Sequence, residues 1–377
     1  MNKKMKVMTI LGTRPEIIKM SETMKLFDKV FDHVIVHTGQ NYDFELNQIF
    51  YDDLGLRKPD FYLDVVGSNL GETIGNVISK SYKIIQTIKP DALVLLGDTN
   101  SCLAAIAAKR LKVPVFHLEA GNRCFDENLP EEVNRRIVDI TSDVNLCYSE
   151  YARRNLLLMG SNPACTFCIG SPMPEILDAH INKINDSQIC EKLSIEPKKF
   201  FLLSAHREEN VDNLVNFSNM VEAINGLAEE YSLPILYSLH PRTRKLIEQR
   251  NTVLHPLVRA HKPFGFTDYI KLQLEALCVI SDSGTLAEES SYLNFPAVSL
   301  RTSTERQEVI DAGVFTLGML NPVSLIQAVE LEISLKNEKS KVIDYRDRNV
   351  SSKIAKIVQS YTDYVNSNVW RKGKGIN

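Results

Sequence analysis

Short apolar runs recur along this chain, and between them lie longer stretches in which apolar residues return at helical spacing. Continuous apolar runs mark strands buried on both faces, and amphipathic stretches mark the helices that cover them. The pattern therefore predicts an α/β fold built from βαβ units with parallel sheets. Strands are expected near 6–11, 33–38, 92–96, 113–118, 143–147 and 165–169. A second series opens at Phe200-Phe-Leu-Leu-Ser and continues through Ile235-Leu-Tyr-Ser-Leu, Leu277-Cys-Val-Ile-Ser and Ala297-Val-Ser-Leu, so two sheets follow one another.

The join is expected at Gly170-Ser-Pro-Met-Pro174, where two prolines and a glycine interrupt the rhythm. The expected domains are 1–170 and 171–350. A C-terminal helix follows, with apolar positions Ile354, Ile357, Val358, Tyr361 and Val365, placed to pack across the seam, and its basic end from Arg371 is expected to fray. The length of 377 residues agrees with two domains of roughly 100 to 200 residues each.

Composition narrows the function classes. With 44% hydrophobic and 24% charged residues and a formal charge of -3, the chain reads as soluble and globular, with no membrane partner. Without a basic excess to neutralise phosphates, a nucleic-acid partner is not expected. The opening Met-Asn-Lys-Lys-Met-Lys resembles the start of a signal peptide, but the apolar stretch Val7 to Gly12 is too short to continue one. Seven scattered cysteines, an odd number, fit reduced thiols in a cytoplasm, and Cys165-Thr-Phe-Cys168 without a second ligand pair is read as structural, with no metal assigned.

The candidate chemistry concentrates at strand ends. Between Val115 and Arg135 the residues His117, Glu119, Arg123, Asp126, Glu131 and Arg135 crowd one loop, and Pro130-Glu131-Glu132 has the composition of a first helical turn. Gly12-Thr-Arg-Pro-Glu16 follows the first strand and opens an amphipathic stretch from Ile17 to Phe27. It is neither GxGxxG nor a Walker loop, and Arg14 either binds an anion or is an ordinary arginine in a turn. Asp98, after Gly97, is either an N-cap or a catalytic acid. In the second half, His206 and His240 follow successive strands and are accompanied by Arg207 and Arg242, which suits a phosphate or polyhydroxyl ligand. Ser281-Asp-Ser-Gly-Thr285 is a strand-to-helix turn able to cradle phosphate, followed by Glu288 and Glu289, which are first-turn acids or a grip on a ribose; Arg301 and Arg306 add cations after the next strand. Phosphate-binding groups thus lie mainly in the second half and acids in the first, which suits a nucleoside diphosphate held between the domains.

In order, Gly-Thr-Arg-Pro-Glu, Gly-Asp-Thr, Glu-Ala-Gly-x-Arg, Pro-Glu-Glu-x-Asn-Arg, His-Arg-x-Glu-Asn and Ser-Asp-Ser-Gly resemble the motifs of the non-hydrolysing UDP-N-acetylglucosamine 2-epimerases, over Lys6 to about Tyr361. The resemblance implies two Rossmann-like domains of the glycosyltransferase B type with a ligand cleft between them. It also implies Asp98, Glu119 and Glu131 as catalytic acids. Arg14, Lys19, Arg135 and His206 would contact diphosphate or sugar, His206 also aiding UDP departure. Ser283, Gly284 and Glu289 would hold phosphate and ribose, with His240 beside them. No cofactor is implied, because the proton leaves and returns without a change of oxidation state. The family commonly forms dimers, and some relatives bind a UDP-sugar activator, a role for which Gln40 and Arg207 are the candidates in this chain. After Glu119 this chain reads Gly-Asn-Arg-Cys-Phe-Asp where the family usually has Gly-Leu-Arg-Thr-Gly-Asp, which looks like the branch producing UDP-N-acetyl-L-fucosamine from UDP-2-acetamido-2,6-dideoxy-L-talose for capsule or O-antigen. The rivals are an epimerase acting on UDP-N-acetylglucosamine, a hydrolysing epimerase, a UDP-sugar glycosyltransferase and a non-enzymatic UDP-sugar sensor.

Overall fold

A computed structural model describes residues 4–39, 44–301, 303–338 and 340–372; Gln40 lies outside them. The chain divides into two compact units, one formed by Met1–Ile176 with Asp344–Asn377 and the other by Leu177–Ile343.

The first unit carries strands β1 (Lys6–Leu11), β2 (Asp32–His37), β3 (Phe61–Tyr62), β4 (Ala92–Leu96), β5 (Val115–Leu118), β6 (Val144–Cys147) and β7 (Thr166–Cys168) in the order β3-β2-β1-β4-β5-β6-β7. The second carries β8 (Phe201–Ser204), β9 (Ile235–Ser238), β10 (Val258–His261), β11 (Cys278–Ser281), β12 (Ala297–Ser299) and β13 (Thr316–Leu317) in the order β10-β9-β8-β11-β12-β13. The strand pairings are parallel, with Val7 opposite His33 and Ala92 in one sheet, and Phe201 opposite Cys278 and Ile235 in the other.

Central strands form where sequence patterning expects them because they are buried on both faces: β4 is buried at every position, as are Val7 to Leu11 of β1. The strands that patterning does not reveal, β3, β10 and β13, all lie at sheet edges. Their residues are largely exposed or half-buried, so no apolar run announces them.

The break between units falls at Ile176, inside the helix Met173–Asn185, rather than at 170. Pro172 and Pro174 flank the first residue of that helix, where a missing N–H costs nothing, so the cluster starts a helix instead of ending a domain. The C-terminal segment returns to the first unit from Asp344, ahead of the expected 351. Asp344 accepts from the Glu150 N–H at 2.9 Å, and a Cβ on Gly170 would meet the Asp344 carbonyl at 2.9 Å. The helix Val350–Asn368 then packs against the helix Arg14–Val30 and buries Ile354, Val358 and Val365.

In each sheet the chain starts near the middle and builds outward in both directions. The first strand of each unit therefore has neighbours reached by crossovers running opposite ways. The carboxyl ends of β1 and β4, and of β8 and β11, are the switch points where an open α/β sheet leaves room for a ligand. The candidate residues gather at these ends.

Candidate active site

In the first unit, β1 ends at Leu11 and the helix begins at Arg14, with Pro15 in its first turn. Arg14 is half-buried, its guanidinium 5.7 Å from the centre of the Phe50 ring. Glu16, which sequence reasoning left without a role, is buried and turns back over the helix start. It accepts from the Gly12 N–H at 3.0 Å and from the Thr13 hydroxyl at 2.8 Å. Its other oxygen takes the Ser101 hydroxyl from the loop after β4. Burial pushes the Glu16 carboxyl up to about 7, against the downward pull of Ser101, Thr13, Gly12 and Thr99. The Thr-x-x-Glu spacing was the available signal, since it is the capping-box pattern.

On the same helix Lys19 is 4% exposed and donates to Glu119 Oε2 at 2.7 Å. Glu119 follows β5 in the left-handed region, φ 61°, a conformation that costs a non-glycine residue about 1 kcal/mol or more. Its salt bridge to a helix on the other side of β4 holds the turn in that conformation.

Asp98 follows Gly97, whose φ is 78°, but does not cap a helix. Thr99 is the residue before the short 3-10 turn Asn100–Leu103, and the Asp98 carboxylate instead pairs with the buried Arg135 guanidinium. The Asn134 side chain donates to the Asp98 carbonyl at 3.0 Å and so fixes the backbone of the same residue. Both come from the helix Pro130–Thr141, which Pro130 opens as expected. Glu131 lies one turn before Arg135, half-buried, and forms no hydrogen bond or ion pair among the described residues. Glu132 beside it points inward instead, taking the Cys124 N–H at 3.1 Å and Arg136 at 2.9 Å.

Beneath these acids lies a buried network. His117 Nε2 is 2.7 Å from the Gly97 carbonyl and its Nδ1 lies 2.9 Å from Asp139. Asp139 also takes the Arg123 guanidinium at 2.6 Å and the Gly121 N–H at 3.2 Å. Arg123 is thus a structural brace on this loop. Asp126 takes the Asn128 N–H at 3.0 Å and closes a local turn.

In the second unit, Asp282 is fully buried after β11 and accepts from the N–H groups of His206 and Arg207, each at 2.8 Å, and from Asn210 at 3.0 Å. The rings of His206 and His240 stack with centroids 5.8 Å apart and planes at 25°. His240 caps the helix Pro241–Gln249, its Nδ1 accepting from the Arg242 N–H at 3.3 Å. The turn before the helix Leu286–Leu293 is closed by Ser283 Oγ and Thr285 Oγ1 at 3.0 Å, and a Cβ on Gly284 would come within 3.3 Å of Glu305. Glu288 and Glu289 are both first-turn acids of that helix and are both buried. Glu288 pairs with Arg306 at 3.0 Å, and Glu289 accepts from Gln273 at 2.6 Å. Arg207 reaches Glu305 at 3.5 Å, and Arg301 reaches the same carboxylate at 3.6 Å. Asp282 falls inside the Ser-Asp-Ser-Gly motif, which assigned it no role of its own, and Gln273 carries no signal in the sequence.

The first unit thus joins Lys19 with Glu119 and Asp98 with Arg135, places Glu131 on the Arg135 helix, and sets Arg14 at the switch point. The second joins His206 with His240 and places Ser283, Gly284 and Glu289 on one turn and the helix after it. Among the described residues there is no group of three or more His, Cys, Asp or Glu side chains placed to hold a metal ion, and no helix is long and apolar enough to cross a membrane.

Residues 25–359 match the family described as UDP-N-acetylglucosamine 2-epimerase. The structure of UDP-N-acetylglucosamine 2-epimerase from Rickettsia bellii superposes with a TM-score of 0.90 at 46% identity, covering 98% of this chain and 100% of that one. The Methanocaldococcus jannaschii UDP-GlcNAc 2-epimerase in complex with UDP-GlcNAc and UDP gives 0.88 at 33% identity, covering 94% and 100%. A UDP-2,3-diacetamido-2,3-dideoxy-D-glucuronate 2-epimerase of Pseudomonas aeruginosa is 34% identical over 319 residues, 83% of this chain and 88% of the relative. This chain belongs to the UDP-N-acetylglucosamine 2-epimerase family, non-hydrolysing nucleotide-sugar isomerases with two parallel-sheet α/β domains of the glycosyltransferase B type.

Proposed function

We propose that the protein epimerises C2 of a UDP-linked 2-acetamido sugar by eliminating UDP and adding it back through a glycal. The C2 proton of such a sugar has no adjacent carbonyl to make it acidic, so direct removal faces a prohibitive barrier. If UDP leaves C1 as a carboxylate takes the C2 proton, a C1–C2 double bond forms instead. Delivery of a proton to the opposite face and re-addition of UDP gives the epimer, with no redox cofactor because oxidation state is unchanged.

The observation that carries this reading is the set of three acids in the first unit, two held by buried cations and one left without a partner among the described residues. Glu119 is fixed by Lys19 and Asp98 by Arg135, while Glu131 stands one turn before Arg135. Binding alone does not require three acids, which speaks against a sensor. In this reading Asp98, Glu119 and Glu131 move the protons, and Arg14, Lys19 and Arg135 contact the diphosphate or the sugar. His206 assists departure of UDP; Ser283, Gly284 and Glu289 hold phosphate and ribose, with His240 beside them.

For the sugar we propose UDP-2-acetamido-2,6-dideoxy-L-talose, giving UDP-N-acetyl-L-fucosamine for capsule or O-antigen, in a cytoplasmic homodimer. The support is the resemblance alone: after Glu119 the chain reads Gly-Asn-Arg-Cys-Phe-Asp where the family usually has Gly-Leu-Arg-Thr-Gly-Asp. The names of the Rickettsia and Methanocaldococcus relatives favour a second reading, UDP-N-acetylglucosamine as substrate. The test is incubation with each UDP-sugar in deuterium oxide, following C1, C2 and free UDP by NMR. Deuterium at C2 of an L-fucosamine product supports the first sugar, and exchange with UDP-N-acetylglucosamine alone supports the second. Exchange with neither sugar removes both proposed substrates, and accumulation of free UDP would point to hydrolysis.

A further inference from the structure

We infer that Asp282 is the positioning residue for His206, holding its segment through one carboxylate oxygen and aiming its imidazole through the other. The inference rests on the proposed role of His206 in UDP departure.

Asp282 Oδ2 is saturated by three donors from one short segment after β8: the N–H groups of His206 and Arg207 at 2.8 Å and the Asn210 amide at 3.0 Å. Its other oxygen accepts no hydrogen bond among the described residues, although the side chain is fully buried, and lies 3.4 Å from His206 Nδ1. A buried carboxylate oxygen without a donor is costly, and an N–H on the facing ring nitrogen satisfies it after a small side-chain rotation. Catalytic hydrogen bonds are often this long before substrate binds. The groups facing the ring include Asp282 from the end of β11, His240 stacked on it, and Arg207 next in the chain, whose Nε donates to the Asp282 carbonyl at 2.9 Å. With Nδ1 turned to the carboxylate and one face on His240, Nε2 on the far side of the ring serves the ligand, and the His206 side chain is 35% exposed.

This arrangement selects one tautomer and stabilises the charged ring, as an orienting carboxylate does for a catalytic histidine. The imidazolium then gives its Nε2 proton to the phosphate oxygen as the C1–O bond breaks and its electron pair stays on that oxygen. The C2 proton goes to one of the proposed catalytic carboxylates. On re-addition the phosphate returns its proton to Nε2, so the histidine ends as it began.

The tautomer is read on the wild-type protein by long-range 1H–15N correlation with labelled histidine, His206→Gln supplying the assignment. A neutral ring protonated on Nδ1 is expected, and protonation on Nε2 overturns the inference without requiring any Asp282 variant to fold. In a second arm, Asp282→Asn should lower the titration midpoint of His206 and cut kcat for C2 proton exchange about 10- to 100-fold, with UDP affinity kept within about threefold. Asn210→Ala removes one Oδ2 donor but keeps the charge, and should leave the midpoint in place. An unmoved midpoint in Asp282→Asn, or an equal shift in Asn210→Ala, overturns the inference. Absence of exchange in the wild type with either sugar would instead remove the proposed substrates, with the tautomer still deciding what Asp282 does.

Discussion

Lys19 Nζ lies 2.7 Å from Glu119 Oε2 across 100 positions of sequence, with the two side chains 5% and 6% exposed. Removing one partner of such a pair strands a charge in the interior, whereas replacing both with apolar groups removes the problem. Lys19→Met should therefore lower unfolding free energy by about 3 to 5 kcal/mol, and Lys19→Met with Glu119→Leu should recover most of that loss. Urea denaturation of the single and double variants measures both. A single variant as stable as wild type would show that the pair is not buried in solution.

Asp98 and Glu131 separate catalysis from stability. Asp98→Asn and Glu131→Gln should each reduce C2 exchange by about 10²- to 10⁴-fold while UDP binding persists. Only the first should also destabilise, because it weakens the partner of the buried Arg135. Glu131 is half-buried and unpartnered among the described residues, so its amide should be neutral within about 0.5 kcal/mol. Isothermal titration with UDP and exchange kinetics give the two readouts, and normal turnover by either variant removes that acid from the mechanism.

Glu16 predicts a pH dependence of stability. Its carboxyl is raised from 4.5 to about 7 by burial, so the folded state holds a proton that the unfolded chain has released across that window. Its contribution is fully present below pH 4.5 and is lost as pH rises through about 7. Relative to Glu16→Gln, which cannot ionise, the wild type should lose on the order of 3 kcal/mol between those limits. Denaturation curves of both proteins from pH 4.5 to 8 test this, and a constant difference between them would contradict it.

Gly121 is required by its surroundings as well as by its backbone. At φ 82°, a Cβ there would lie 2.2 Å from the Ala152 carbonyl oxygen, which is backbone and cannot swing away. Gly121→Ala should cost about 2 kcal/mol or more and weaken catalysis too, because Gly121 donates to Asp139 two residues after Glu119. Thermal unfolding measures the first effect and C2 exchange the second.

The sequence by itself determined the parallel α/β plan, because strands buried on both faces must be apolar throughout and leave runs such as Ala92–Leu96 in plain view. It also marked the candidate site residues, since polar and charged residues packed just past a buried strand stand out against it, as Asp98, Glu119, His206 and Ser283 do. The edge strands β3, β10 and β13 escaped because much of their surface faces water, whereas the edge strand β7 did not. Tertiary structure alone decided which charges meet: Asp98 with Arg135 rather than a helix N-terminus, Lys19 with Glu119, Glu289 with Gln273, and Asp282 with the His206 segment. Those partners lie on different strands and helices, and a pairing energy depends on distance and burial, which exist only once the crossovers have brought the strand ends together.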